Sequence, residues 1–142
     1  MIYTPMTKKA LKLCFEAHKE QADKSGIPYV FHPFHLAEQM TTEETTVVAL
    51  LHDVVEDSDY TLEDLVAMGF GKAVCDAIAL LTHDVAVDYM DYVRAIKSNP
   101  TARAVKLADL RHNSDLSRLD IIDQRALKRQ EKYLKAIALL ED

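Results

Sequence analysis

The chain has 142 residues, 49% of them hydrophobic, which suits one domain spanning 1–142 with a full core of its own. A net charge of −6 argues against a protein that tracks nucleic-acid polymers, which carry basic faces, but leaves room for a small anionic ligand held by local charge. No apolar run approaches membrane-spanning length, Met1 opens the chain without a signal peptide, and Cys14 and Cys75 lack paired spacing; the expectation is a soluble, cytoplasmic protein with reduced thiols.

Three glycines, four prolines and no tryptophan favour helices over sheet. Thr4-Pro5 reads as a cap followed by proline at the first helical position, and apolar residues then recur at helical spacing to about Gln21. Ser25-Gly26-Ile27-Pro28 breaks that helix, and Tyr29-Val30-Phe31 is a short buried connector. Pro33 opens a second helix with His32 as its cap, and Thr41 with Glu44 forms a capping box for a third that runs into His52. Thr61 and Asp64 cap a short fourth helix that stops near Gly69. A fifth covers Ala73 to Leu81, apolar on most faces and so central, and a sixth covers Asp88 to Lys97. After Asn99-Pro100 the chain is helical to about Asn113, and a last long helix follows Asp120 with Ala126, Leu134, Ile137 and Ala138 on its inner face. The expectation is an all-α domain of about eight helices.

The chemistry concentrates in Leu50–Asp59, where His52, Asp53, Glu56, Asp57 and Asp59 follow an apolar run. On a continuous helix His52 and Glu56 share one side, as do Asp53 and Asp57. Carboxylates beside a greasy segment need a partner, and a divalent cation is an effective one. His32, the His52-Asp53 pair and Asp109 together make a donor set suited to a hydrolytic Mn, Fe or Zn site. Taken alone, His52 reads equally well as a hydrogen-bonded core histidine, and Asp109 reads better as the partner of Lys106 or Arg103. Glu56 and Asp57 are placed to orient a water or take its proton. Arg103, Lys106, Arg111 and Arg118 form the strongest basic excess, either a phosphate clamp or ordinary exposed helix charge. His18, His35, His83 and His112 read as surface or packing residues.

Three segments in order, GIPYVFHP, LLHDVVEDSD with TLEDL behind it, and NPTARAVKLADLRHNSDLSRL, resemble the HD-domain metal-dependent phosphohydrolases. Within them the chain is most similar to the ppGpp (alarmone) pyrophosphohydrolases of the Rel/Spo type and their small stand-alone relatives, over about Ala17 to Tyr133. The resemblance implies the compact HD-domain helical fold, with His32, His52, Asp53 and Asp109 as metal ligands and Mn(II) as the usual ion. It implies Glu56 and Asp57 as the acidic pair that activates water, and Lys24, Asn113 and Tyr133 as substrate contacts. The implied reaction removes the 3′-diphosphate of guanosine 3′,5′-bis(diphosphate) as pyrophosphate. The family often carries an arginine that packs on the guanine where this chain has Asp23. With no synthetase or regulatory segment after Asp142, only the hydrolytic half is expected. The alternatives are hydrolysis of another phosphorylated nucleotide, or a non-catalytic nucleotide-binding module. The partner in every case is a small nucleotide, neither a nucleic-acid polymer nor a membrane; the oligomeric state stays open.

Overall fold

The computed structural model describes residues 1–142 and contains nine α-helices, no strand, and one isolated antiparallel bridge between Ala22 and Pro28. The helices are α1 (Pro5–His18), α2 (Phe31–Glu38), α3 (Glu43–Leu51), α4 (Val54–Asp57), α5 (Leu62–Ala67), α6 (Lys72–Leu81), α7 (Tyr89–Ile96), α8 (Pro100–Asn113) and α9 (Gln124–Glu141). Eight run for six residues or more; α4 is a single turn. A 3-10 turn at Leu116–Arg118 joins α8 to α9.

Local chemistry explains most of the boundaries. Thr4 and Thr7 exchange bonds at the start of α1, the Thr7 amide donating to Thr4 Oγ1 at 3.1 Å, with Pro5 behind the cap. The Thr61–Asp64 box forms as expected, with the Asp64 amide 3.1 Å from Thr61 Oγ1. Asn99 caps α8 through the Ala102 amide at 3.0 Å, so Asn99-Pro100 starts that helix at once. Gly26 and Gly69 adopt φ of 79° and 92°, left-handed conformations that end the segments before them.

Several expectations shift. α1 ends at His18 rather than Gln21, because the Gln21 amide turns back to the His18 carbonyl at 2.9 Å. His32 is not a cap: α2 starts at Phe31 and places Pro33 third, where a missing N–H leaves no intrahelical bond unmade. Thr42, not Thr41, caps α3, its Oγ1 accepting from the Thr45 amide at 3.1 Å. The inner face of α9 is Ala126, Ala136 and Leu140, while Leu134 is 51% exposed. Small residues let α9 lie close on α7 and α8, and the larger Leu134 is left outside.

α3 rather than α6 is the centre. Every residue from Thr46 to Leu51 is buried, and α1, α2, α6 and α8 pack around it. No helix is long and apolar enough to cross a membrane. Burial pushes the Cys14 thiol up to about 12, with the nearby Asp53 carboxylate adding to the effect. Leu50, at the heart of α3, is fully enclosed. Leu50→Ala is expected to lose about 2–5 kcal/mol of unfolding free energy in urea titrations, the range for an enclosed leucine whose site collapses incompletely.

Candidate functional site

α3 does not run through the histidine–aspartate pair. It stops at Leu51, His52 keeps helical angles, and Asp53 swings to φ −107°, ψ 1° before α4 begins. Neighbours on an unbroken helix diverge by about 100°. The break cancels that divergence and brings His52 Nε2 within 3.2 Å of Asp53 Oδ2. His32, in the first turn of α2, and Asp109, on α8, approach from the other side. His32 Nε2 lies 2.8 Å from Asp109 Oδ1, and His52 Nε2 lies 3.6 Å from the same oxygen. His32, His52 and Asp109 are 4%, 2% and 5% exposed. His32, His52 and Asp109 thus offer donor atoms within 4.8 Å of one another, and Asp53 meets that group through His52.

The convergence calls for a positive charge at its centre. His52 Nδ1 faces the Ala49 carbonyl at 2.7 Å, and because a carbonyl only accepts, that nitrogen carries the proton. Nε2 then faces the Asp53 and Asp109 carboxylates, buried and without a hydrogen bond. Burial alone would lower the basicity of His52, but Asp53 and Asp109 outweigh it and raise the pKa well above the ordinary value. Either a proton or a cation answers the carboxylates, and two imidazoles with two carboxylates form a donor set that suits a divalent transition ion.

Surrounding groups hold these side chains in place. The Lys106 ammonium donates to Asp109 Oδ2 at 2.9 Å and the Asn113 amide to Oδ1 at 2.9 Å. Burial opposes the charge of Asp109, yet Lys106, His32 and His52 hold its pKa well below the carboxylate norm. Tyr29, expected only as a buried connector, donates its hydroxyl to Asp53 Oδ2. Against the cost of burial, the His52 imidazole brings Asp53 down to about 2.

Glu56 and Asp57 stand beside Asp53, and the three offer carboxylate oxygens within 4.8 Å of one another. Because of the helix break, this grouping comes from the turn of α4 rather than from one continuous helical face. Glu56 Oε1 accepts from the His83 amide at 2.6 Å. The Asp57 carbonyl accepts from the Gln21 side chain at 2.8 Å. Burial, with Asp53 and Glu56 adding repulsion, lifts Asp57 to about 6.

Beside His32 opens a cavity of about 300 Å³. Lys24, Asn113 and Tyr133, the expected substrate contacts, all line it, together with Asp23, Arg118 and Arg129. Asp23 is tied back into its own loop: Oδ1 accepts from the amides of Ser25 at 2.8 Å and Ile27 at 3.0 Å, and Oδ2 lies 3.8 Å from Arg118. The basic group expected on α8 separates. Arg103 donates to the Leu140 carbonyl at 2.5 Å, Arg111 pairs with Glu141 at 2.6 Å, and Lys106 serves Asp109; Arg118 alone of the four lines the cavity. Arg129, on α9, escaped sequence reasoning because nothing local distinguishes it from the other charges of that helix.

His112 also has a larger place than its local context suggested. Its Nδ1 lies 2.7 Å from His32 Nδ1, the two ring planes lie 5° from parallel with centroids 5.0 Å apart, and the His35 ring centroid lies 4.2 Å away. Burial, then the Arg118 guanidinium and the two neighbouring imidazoles, push its pKa down to about 4.

Residues 10–112 match the model of the HD domain, and the chain belongs to that family. Among curated proteins it is 38% identical over 120 residues to a mouse protein, guanosine-3′,5′-bis(diphosphate) 3′-pyrophosphohydrolase MESH1, covering 73% of this chain and 66% of that one. It is 32% identical over 139 residues to the guanosine-3′,5′-bis(diphosphate) 3′-pyrophosphohydrolase of Aquifex aeolicus, covering 89% of this chain but 19% of that one. A solved structure of a metazoan SpoT orthologue, described as hydrolysing ppGpp, superposes with a TM-score of 0.75 at 26% identity, covering 99% of this chain and 85% of that one. The chain thus spans about a fifth of the longer relative and under two thirds of the shorter.

The buried Lys106–Asp109 pair makes a stability test of the site. Removing one member of a buried pair leaves the other uncompensated, at a cost of about 3–5 kcal/mol. Lys106→Met is therefore expected to lower the urea-unfolding free energy of metal-free protein by that amount; an unchanged value would mean that water, not Lys106, balances Asp109.

Proposed function

We propose that the chain is a divalent-metal-dependent phosphohydrolase that removes the 3′-diphosphate of ppGpp as pyrophosphate, with Mn(II) as its ion. The observation that carries this reading is His52 Nε2, buried without a hydrogen bond between the Asp53 and Asp109 carboxylates beside a nucleotide-sized cavity that carries basic side chains. The names of the relatives give independent support for the substrate. Residues 1–142 act as one hydrolytic domain in this reading, and the two enclosed free thiols fit a reducing cytoplasm.

His32, His52, Asp53 and Asp109 hold the ion, which when bound supplies Lewis acidity to phosphate oxygens and makes water more acidic. Asp57, raised toward neutrality, takes the proton of the attacking water, and Glu56 orients that water from the same turn. Lys24, Arg118 and Arg129 meet the negative charge of the diphosphates, with Asn113 and Tyr133 on the cavity wall. Lys106 and Tyr29 keep Asp109 and Asp53 ionised and aimed.

Asp23 favours a second reading, hydrolysis of another phosphorylated nucleotide, because its carboxylate lines the cavity with no cation of its own beyond Arg118. One assay separates the two. Protein stripped with a chelator and reloaded with Mn(II) is incubated with ppGpp and with other nucleotides phosphorylated at the 3′ position. Pyrophosphate from ppGpp, abolished again by chelator, is the expected result. Preferred turnover of a different nucleotide would select the second reading, and no release from any of them would overturn both.

Two classes of variant assign the roles. Glu56→Ala and Asp57→Ala are expected to bind Mn(II) as the parent does while turnover falls about 10²–10⁴-fold, the usual worth of a placed acid–base group. Asp53→Ala is expected to lose the ion, read by calorimetry, because the ligands themselves contribute most of the affinity.

A further inference from the structure

The two histidines at the centre of the site have their protons set in different ways. His52 is fixed by a main-chain carbonyl, the Ala49 oxygen, which leaves Nε2 free. His32 meets another imidazole instead. Its Nδ1 lies 2.7 Å from His112 Nδ1, and its Nε2 lies 2.8 Å from Asp109 Oδ1. Two ring nitrogens at hydrogen-bond distance share one proton, so one donates and the other accepts. The geometry admits either sense, and each belongs to a different state of the site.

Without an ion, His32 carries its proton on Nε2 and donates it to Asp109, and His112 donates from its own Nδ1 to His32 Nδ1. For His32 Nε2 to lend its lone pair to a cation, that ring must carry its proton on Nδ1 instead. The His32 Nε2 proton then leaves to solvent, the shared proton crosses from His112 Nδ1 to His32 Nδ1, and His112 takes a proton on Nε2. Each ring begins and ends with one proton. His112 is suited to this exchange because it is only half-buried and lines a second cavity, with Phe31, Phe34 and His35. The proton that His112 gains therefore has a source outside the substrate cavity.

We propose that His112 is a positioning residue. It accepts the Nδ1 proton of His32, fixes the tautomer that exposes Nε2, and thereby sets the affinity of the site for its ion. The inference rests on the metal-centre reading given above. It assigns His112 no contact with substrate.

The test separates the acceptor from the volume of the ring. His112→Leu fills the space and cannot accept; His112→Asn is smaller, but its Oδ1 stands close to the position of the lost Nδ1. Each 142-residue protein is stripped of metal, its melting is compared with the parent, and Mn(II) is titrated by calorimetry. A partner of this kind is worth about 10–100-fold in affinity, so His112→Leu is expected to weaken Mn(II) by that factor and His112→Asn by less than about threefold. Equal weakening by both variants, or none by the leucine, would overturn the proposal. Should the leucine variant fail to fold, imidazole-nitrogen NMR of the parent loaded with diamagnetic Zn(II) decides: a proton on His32 Nδ1 upholds the proposal, and a bare Nδ1 removes it. A parent that binds neither Mn(II) nor Zn(II) would remove the metal centre itself, a result distinct from a parent that binds while His112→Leu binds equally well.

Discussion

The organising constraint is a charge problem solved at a helix break. Asp53 and Asp109 approach one imidazole nitrogen from two sides, Asp109 buried and Asp53 only partly exposed, where like charges repel strongly. In the metal-free chain a proton on His52 meets the demand, held there by the two carboxylates. Lys106 contributes a second positive charge, fixed on the far oxygen of Asp109, so the arrangement survives folding without an ion. The side chains are thereby pre-organised, and a divalent cation replaces a proton instead of gathering scattered ligands.

The rest of the fold keeps that convergence in register. α3 is enclosed along its length by α1, α2, α6 and α8, so its C-terminal end, and with it His52, cannot shift without opening the core. The elements that bring His32 and Asp109 pack directly on α3. Side chains proposed to act on water or substrate sit on less constrained segments: Glu56 and Asp57 on a one-turn helix, Lys24 on a loop, Arg118 in the 3-10 turn. Those segments are nevertheless tied down. Gln21 anchors the carbonyl of Asp57, the His83 amide anchors Glu56, and Ser25 bridges to the Arg118 carbonyl at 3.0 Å. Long-range bonds of this kind let loops serve a site that demands fixed geometry.

Legibility in the sequence followed the range of the interaction. Caps and breakers such as Thr4-Pro5, Thr61 with Asp64, and Gly69 act within four residues, and they were readable. Thr41 and Thr42 offer nearly the same pattern, and only the packed chain chooses between them. The cluster around His52 and Asp53 stood out because carboxylates next to an apolar run are costly without a partner, whereas His32 and Asp109 entered the proposed ligand set through the resemblance of their segments. The bend at Asp53 was not readable, since no glycine or proline marks it within Leu50–Asp57. His112, Tyr29 and Arg129 were missed for a related reason: their importance comes from partners far away in sequence, as in the pairing of His112 with His32, 80 residues apart.

Asp23 shows how misleading a residue's formal charge is outside its context. A carboxylate in a cavity proposed to take phosphates looks self-defeating, yet both of its oxygens are engaged. One takes two amide protons and closes the turn through Gly26, and the other faces Arg118. At 3.8 Å and partly exposed, that ion pair is worth at most about 1 kcal/mol, too little to be a reason for the residue by itself. Its effect is geometric: it draws Arg118 toward the loop that carries Lys24, while Arg118 donates at 2.9 Å to the His112 carbonyl and at 3.3 Å to Asn113 Oδ1. The Asn113 amide is thereby oriented with its nitrogen on Asp109 and its oxygen on Arg118. The acidic residue joins two loops, and through Arg118 and Asn113 the far wall of the cavity is coupled mechanically to a carboxylate of the candidate metal site.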